Sequence, residues 1–366
     1  MPIDPEIRRA WTLPSAVYTD PRSFDLQRER VFARSWQLVA GAERAARAGD
    51  TLPLVLLEGC LDEPLALCRD EARLHCLSNV CTHRGALVVE REGSAKVLRC
   101  RYHGRRYGLD GQFLSMPEFD GVEHFPAPGD SLPRLSLERW GPLHFVALAP
   151  PCPFAEWIEP IRRRVDWLPL DRLELDPASS RDYTVRAHWA LYVDNYLEGF
   201  HIPYVHGGLA DVIDYDSYTT ELYRWSSLQV GTARGGDAVF ELPAAHPDHG
   251  QAVAAYYAWL FPNLMLNFYP WGLSLNLVEP RGVAETRVRF LSYVWERGAS
   301  RAGAGADLHR VEMEDEEVVE SVQQGVRSRL YDRGRYSPAR EAGVHHFHRL
   351  LVQALGQPGD ERVPLP

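Results

Sequence analysis

No stretch of this 366-residue chain approaches the roughly 20 apolar residues a membrane helix needs, so no membrane insertion is expected. The opening Met1-Pro2-Ile3-Asp4-Pro5-Glu6 lacks the basic and apolar regions of a secretory signal, which predicts a cytoplasmic protein. Cysteine is scarce: six in so long a chain cannot build a disulfide scaffold. Cys60, Cys68, Cys76 and Cys152 show no knuckle spacing and read as buried thiols. A net charge of −10, without a basic cluster interleaved with aromatics, argues against nucleic-acid binding. The one local basic concentration, Arg99, Arg101, Arg105 and Arg106, reads either as solvated loop charge or as a docking patch for an acidic electron donor. No Gly-rich dinucleotide fingerprint and no internal repeat are found. What remains, 45% hydrophobic and 25% charged residues, is ordinary for a globular enzyme, and the length predicts about two domains.

Against this background two short loops stand out. Cys81-Thr82-His83 and Cys100-Arg101-Tyr102-His103 supply two thiols and two imidazoles. The pattern looks like a Rieske [2Fe–2S] site, in which two cysteines hold one iron and two histidines the other, with a reduction potential raised by the neutral ligands. A structural zinc site is the alternative, but zinc knuckles usually pair Cys with Cys and His with His, whereas each loop here carries one of each. Gly85 and Gly104, just after the histidines, would let backbone N–H groups approach the sulfides.

The cluster loops sit among short strands separated by Gly, Asp and Pro turns: residues 52–57, 64–68, 87–89, 96–98 and 144–148. This predicts a small β domain over 37–150, ended by Ala149-Pro150-Pro151-Cys152-Pro153. The rest, 1–36 and 151–366, mixes helix and strand signals. Residues 190–200 are helix-compatible, 257–261 and 271–278 read as strands, and an acidic helix is predicted near 310–330. Residues 299–305 read as a loop tip, and those after Gly356 as a frayed tail.

A second concentration of chemistry runs from Asp194-Asn195 through Glu198 and His201 to His206. Glu198 and His201 share a face if the helix continues, and Pro203 bends the chain so that His206 can return to the same point. Two histidines and one carboxylate leave positions on non-haem Fe(II) open for O₂. The acidic run Glu312-Met313-Glu314-Asp315-Glu316-Glu317 offers the carboxylate. At 100° per residue, Val311, Val318, Val322 and Val326 form an apolar stripe with Asp315 in its middle. Glu316, Glu317 and Glu320 point away from that stripe, and Glu314 lies at its edge as the reserve ligand.

With both motifs in hand the chain resembles the catalytic α subunit of Rieske non-haem iron oxygenases over nearly its whole length. The resemblance implies an α+β architecture: a small all-β Rieske domain beside a larger catalytic domain with a central antiparallel sheet and helices, helix-grip-like. It implies that Cys81, His83, Cys100 and His103 ligate the cluster, that His201, His206 and Asp315 ligate the mononuclear iron, and that Asp194, Asn195 and Glu198 serve catalysis. In that family an acid three residues before the first iron histidine bridges it to the second cluster histidine of a neighbouring subunit; Glu198 takes that place where many relatives have Asp. A homotrimer follows, as do O₂ and NAD(P)H as reactants and a separate ferredoxin or flavin reductase as partner.

Within the family the chain is similar to the choline monooxygenase branch, in Val193 to Glu198, Pro203 to Leu209, Met313-Glu314-Asp315, Glu320 to Gln323, Tyr331 to Tyr336 and His346-Phe347-His348. That points to a small quaternary ammonium substrate. Among Phe200, Tyr204, Tyr256, Tyr257, Trp259, Phe268, Tyr269 and Trp271, most read as ordinary core and the rest as either a cation–π box or an apolar slot for an aromatic ring, the ring-hydroxylating alternative; the sequence does not single out which face the iron. An electron carrier without catalysis would need only one metal motif. His345, His346 and His348 read as packing and hydrogen-bonding groups.

Overall fold

The computed structural model describes residues 3–206, 219–233, 238–295 and 308–356. The predicted loop tip at 299–305 and the tail after Gly356 lie outside them. The chain divides into two compact units, one spanning Ala33–Pro150 and the other the stretches on either side of it. Among the described residues no helix is long and apolar enough to cross a membrane.

The smaller unit is all antiparallel β. Strands β1 (Gln37–Leu38), β2 (Asp50–Leu56), β3 (Glu63–Arg69), β4 (Leu74–Ser78), β5 (Gly93–Ser94), β6 (Leu98–Arg99), β7 (Arg106–Tyr107), β8 (Phe113–Ser115), β9 (Arg134–Trp140) and β10 (Leu143–Ala147) follow in chain order. Seven form one sheet in the order β1-β10-β9-β4-β3-β2-β5, and β6-β7-β8 form a small second sheet. Cys68 and Leu77 pack beneath the cluster loops with Ala66, Leu98 and Tyr107. All four cysteines read as core thiols are buried. Residues 87–89 are not a strand but make one isolated bridge, Val80 to Leu87. The polar alternation of β9, Arg134-Leu135-Ser136-Leu137-Glu138-Arg139, reflects a strand with one face in water.

The larger unit is α+β. It opens with α1 (Ala16–Thr19) and α2 (Pro21–Arg30), the latter capped by the Asp20 carboxylate accepting from Arg22 N–H at 3.0 Å, with Pro21 in the first turn. Then come α3 (Phe154–Val165), β11 (Glu174–Leu175), β12 (Arg181–Val185), α4 (Trp189–Tyr196), α5 (Ile202–Val205), β13 (Thr219–Leu222), β14 (Ser226–Thr232), β15 (Val253–Leu260), β16 (Leu264–Tyr269), β17 (Gly272–Gly282), β18 (Glu285–Val294), α6 (Leu308–Gly325) and α7 (Ala342–Gly356). The central antiparallel sheet runs β11-β18-β17-β16-β15-β14-β13, with β12 also on β18. Trp259 of β15 meets Phe347 of α7 edge to face at 5.3 Å, and Phe347 meets Trp189 of α4, so aromatic rings join the sheet to both helices.

Helix α7 approaches the end of α4 through Gly343. A Cβ there would come within 3.0 Å of the Leu197 carbonyl, closer than real Cβ contacts allow. Gly343→Ala is therefore expected to push α7 off this turn. At about 1–3 kcal/mol for overpacking, and roughly 2–4 °C per kcal/mol for a unit of this size, a melting temperature several degrees lower should appear by calorimetry. An unchanged melting curve would show that the close approach is not needed.

Candidate metal centres and active-site cavity

The first loop follows β4 and the second follows β6, and both close alike. Gly85 N–H donates to the Cys81 carbonyl and Gly104 N–H to the Cys100 carbonyl, each at 3.0 Å. Both glycines have positive φ, +73° and +76°, where side chains are strained. The turns bring the His83 and His103 rings to 4.7 Å between centroids. Both thiols are buried, while the imidazoles are partly exposed. The Tyr107 hydroxyl lies 3.2 Å from Cys81 Sγ and accepts from Thr82 N–H. Burial penalises the Cys81 thiolate, but hydrogen bonds from Tyr107 and the His83 N–H outweigh it and bring the thiol below its ordinary value. Burial and the neighbouring His103 lower the His83 imidazole, favouring the neutral form a metal needs. Two buried sulfurs and two convergent imidazoles on matched turns fit a dinuclear cluster with Cys on one iron and His on the other.

Of the four arginines here, Arg105 is not a surface charge. It is 1% exposed, pairs with Asp130 at 2.5 Å and stacks over Phe113 at 4.8 Å. Of the four, Arg99, Arg101 and Arg106 are exposed, and Arg84 in the first loop adds to that basic surface.

In the larger unit, α4 ends at Tyr196 rather than continuing to residue 200. Glu198 meets His201 through a turn, not along a helix face: its Oε2 accepts the backbone N–H of Phe200 and of His201, and its Oε1 accepts His201 Nδ1–H at 2.7 Å. Pro203 stands in the first turn of the single-turn α5, which returns His206 beside His201, rings 5.1 Å apart. Helix α6 supplies two carboxylates: Glu314 Oε2 accepts His206 Nδ1–H at 2.7 Å, and Asp315 Oδ1 lies 3.0 Å from His206 Nε2 and 3.4 Å from His201 Nε2. Ionised carboxylates only accept, so with both Nδ1 atoms protonated the Nε2 lone pairs converge on Asp315. The ligand atoms of His201, His206 and Asp315 all fall within 4.8 Å of one another. Such crowding of electron-rich atoms is offset by a cation between them, and the donor set suits non-haem iron.

The structure corrects the reading of α6. Its buried face is Glu312, Val319 and Gln323, followed by Val326, while Val322 is 42% exposed and Val311 and Val318 are half-buried. Glu316 does not point into solvent; it is half-buried, and burial holds its carboxyl at about 6. Glu314 is not a spare ligand but the carboxylate that holds His206, a role invisible in an acidic run that reads as a solvated face. Asp194 lies beyond the ligand set. It accepts from Tyr18 at 3.0 Å and pairs with His348 Nε2 at 2.8 Å, while His348 Nδ1 meets the Tyr336 hydroxyl. His345 Nε2 is 2.8 Å from the Asp4 carbonyl.

Asn195 lines a cavity beside His201, His206 and Asp315, with Tyr192, Tyr196, Gln229, Tyr257, Asn267, Tyr269, Asn276, Phe290 and Glu312. Of the eight aromatics weighed for the pocket, Tyr257 and Tyr269 line it. Trp271 stacks behind Tyr269 at 5.1 Å. Tyr256 and Phe268, paired across β15 and β16, occupy the opposite face, as the period of two requires. Trp259 packs on Phe347, Phe200 is exposed, and Tyr204 is 80% exposed. Asn267 accepts from the Tyr196 hydroxyl at 2.7 Å and donates to Asn276 at 3.3 Å, so the sheet floor is amide-rich. No motif marked these amides or Tyr192, and Glu312 was marked only as one acid of the run on α6; strand pairing aligns the amides, while α4 and α6 bring Tyr192 and Glu312 to them.

Residues 35–126 match the model of the Rieske [2Fe-2S] domain, and residues 170–357 that of the ring hydroxylating alpha subunit (catalytic domain). Together with the two sets of donors, these matches define a Rieske non-haem iron oxygenase component. The chain belongs to the family of ring-hydroxylating oxygenase α subunits, and with that family come a [2Fe–2S] cluster, a mononuclear iron, O₂, an organic substrate and a separate reductase. It is 31% identical to the chloroplastic choline monooxygenase of Arabidopsis thaliana, over 96% of this chain and 85% of the plant protein. It is 30% identical to the carnitine monooxygenase oxygenase subunit of Escherichia coli (strain K12), over 95% of each. Among solved structures, the quaternary ammonium Rieske monooxygenase CntA superposes with a TM-score of 0.76 at 25% identity, covering 95% of this chain and 96% of CntA. Naphthalene 1,2-dioxygenase from Rhodococcus sp. shares the fold at 19% identity and a TM-score of 0.72, covering 94% of each chain.

Three outcomes follow from the geometry. His103→Cys exchanges a neutral for an anionic donor and should lower the reduction potential read by voltammetry; an unchanged potential would remove His103 from the ligand set. Asp315→Ala should abolish mononuclear iron binding while the visible cluster spectrum persists. Glu314→Ala, which frees His206 Nδ1, should weaken iron binding by roughly ten- to a hundred-fold, whereas Glu317→Ala at an exposed position should leave it alone. Iron titrations with Glu314→Ala indistinguishable from Glu317→Ala would assign Glu314 no part in the site.

Proposed function

We propose that this chain is the oxygenase component of a monooxygenase that hydroxylates a small quaternary ammonium compound. The observation that carries this reading is the tyrosine-lined cavity against His201, His206 and Asp315, in a chain whose relatives over nearly its full length are named choline and carnitine monooxygenases. Residues 37–150 form the Rieske domain in this proposal, with Cys81, His83, Cys100 and His103 as cluster ligands. Residues 1–36 and 151–366 form the catalytic domain, with His201, His206 and Asp315 holding the iron. When bound, the cluster supplies electrons one at a time and the iron supplies O₂ reduction and C–H hydroxylation.

The remaining roles belong to the chain itself. Glu198 and Glu314 hold the two imidazoles by Nδ1 and keep the opposite nitrogens aimed at one point. Glu198 also links His201 to His103 of the partner subunit, which calls for a homotrimer; CntA is described as showing inter-subunit electron transfer. Asp194, held by Tyr18 and His348, braces the end of α4, and Asn195 contributes to the cavity wall. A ferredoxin or flavin reductase delivers electrons from NAD(P)H, in the cytoplasm.

The test is substrate-dependent consumption of NADH and O₂ with a compatible reductase. Choline, L-carnitine and γ-butyrobetaine should be compared with naphthalene and benzoate. Coupled turnover confined to the aromatic compounds would replace this reading with ring hydroxylation. Glu198→Gln keeps size but removes charge; both metals should still bind while coupled turnover falls by roughly ten- to a hundred-fold.

A further inference from the structure

Glu312 is the least expected group in the cavity wall. It sits three residues before Asp315 on α6, is 3% exposed, and lines the same cavity as the iron-site histidines. One carboxyl oxygen, Oε2, accepts the Tyr192 hydroxyl at 2.7 Å. The other, Oε1, is buried with no donor group facing it; its side-chain neighbour one turn along is the Glu316 carboxyl, another acid. A buried oxygen left unpaired costs free energy, and a buried carboxylate without a counter-charge costs more. Among the described residues lining the cavity there is neither lysine nor arginine to supply that charge. The rings of Tyr192, Tyr257, Tyr269 and Phe290 share the wall with it. Glu198 and Asp315 on the same wall are taken up by the histidines; aromatic faces and the remaining carboxylate attract a cation that has no N–H to donate, such as a trimethylammonium group, whose charge is spread over its methyls.

We propose that Glu312 is the counter-charge that recognises the cationic head of the substrate, and so sets the preference for ammonium over neutral compounds. This rests on the quaternary ammonium reading above. Burial pushes the Glu312 carboxyl well above its ordinary range, the Tyr192 hydrogen bond opposing it and the neighbouring Asp315 and Glu316 adding to it, and a positive charge alongside favours the ionised form.

The experiment compares choline with its neutral carbon isostere, 3,3-dimethylbutan-1-ol, by binding calorimetry on iron-loaded holoenzyme. Wild type should prefer choline. E312Q should lose choline affinity by on the order of thirty-fold, the scale for removing one partner of a buried charge pair, and should bind the isostere as wild type does. Cluster spectrum and iron content establish that the variant is intact. If E312Q does not load iron, E312D carries the test: withdrawing the carboxylate by one methylene should weaken choline several-fold and spare the isostere. Equal weakening of both ligands, or of neither, would overturn the assignment of Glu312 while leaving the substrate class standing. A wild-type enzyme that binds none of choline, L-carnitine and γ-butyrobetaine would overturn the substrate class as well.

Discussion

The larger unit is organised around carboxylates that grip imidazoles by their Nδ1 atoms. Glu198 on His201 and Glu314 on His206, both at 2.7 Å, turn the two Nε2 atoms toward Asp315. Without those grips each ring rotates about its own side-chain bonds, and a converging pair of lone pairs has no reason to persist. The grips in turn demand that α6 lie against α4 and the turn after it. Tyr192 to Glu312 ties these helices directly, and Gln323 accepts the His188 N–H just before α4 at 2.7 Å.

The smaller unit solves the same orientation problem with backbone rather than carboxylates. Two turns, each closed by a glycine N–H on a cysteine carbonyl, set the thiols inward and the imidazoles outward. Tyr107 then anchors the first loop through Cys81 and Thr82 from within the core. A buried phenol at the sulfur and backbone N–H groups around it stabilise negative charge there, which is one of the means by which a protein tunes such a site.

The cavity shows how sheet geometry selects among similar residues. Tyr256 and Tyr257 are neighbours in sequence, yet one donates to Asp248 at 2.8 Å on the far face and the other lines the cavity. Gln229, Tyr257 and Asn267 stand in register across three adjacent strands, so an amide, a phenol and an amide face the iron-site side together. This floor combines with Glu312 to give a site with aromatic faces, amide groups and an acid beyond the two, Glu198 and Asp315, that meet the histidines.

Short-range chemistry was legible in the sequence. Cys and His at close spacing, a proline between two histidines and an acidic run brought out both groups of candidate donors, because each depends on a handful of adjacent residues. The small β region and the α+β character of the rest were legible too, since alternation and Gly/Pro punctuation are local. What the tertiary structure alone decided was orientation. Glu314 and Asp315 are adjacent and chemically alike, and the rotation of α6 about its axis makes one a clamp on His206 and brings the other to both Nε2 atoms. That rotation is set by packing on α4 and the sheet, which buries Glu312, Val319 and Gln323 in place of the valine stripe that periodicity favours. Arg105 is likewise charged in the sequence and buried in the fold, because Phe113, Phe125 and Asp130 come from later in the chain to join the nearby Tyr107 around it. Partners distant in sequence leave no local pattern, and they decide which charge faces water and which faces the cavity.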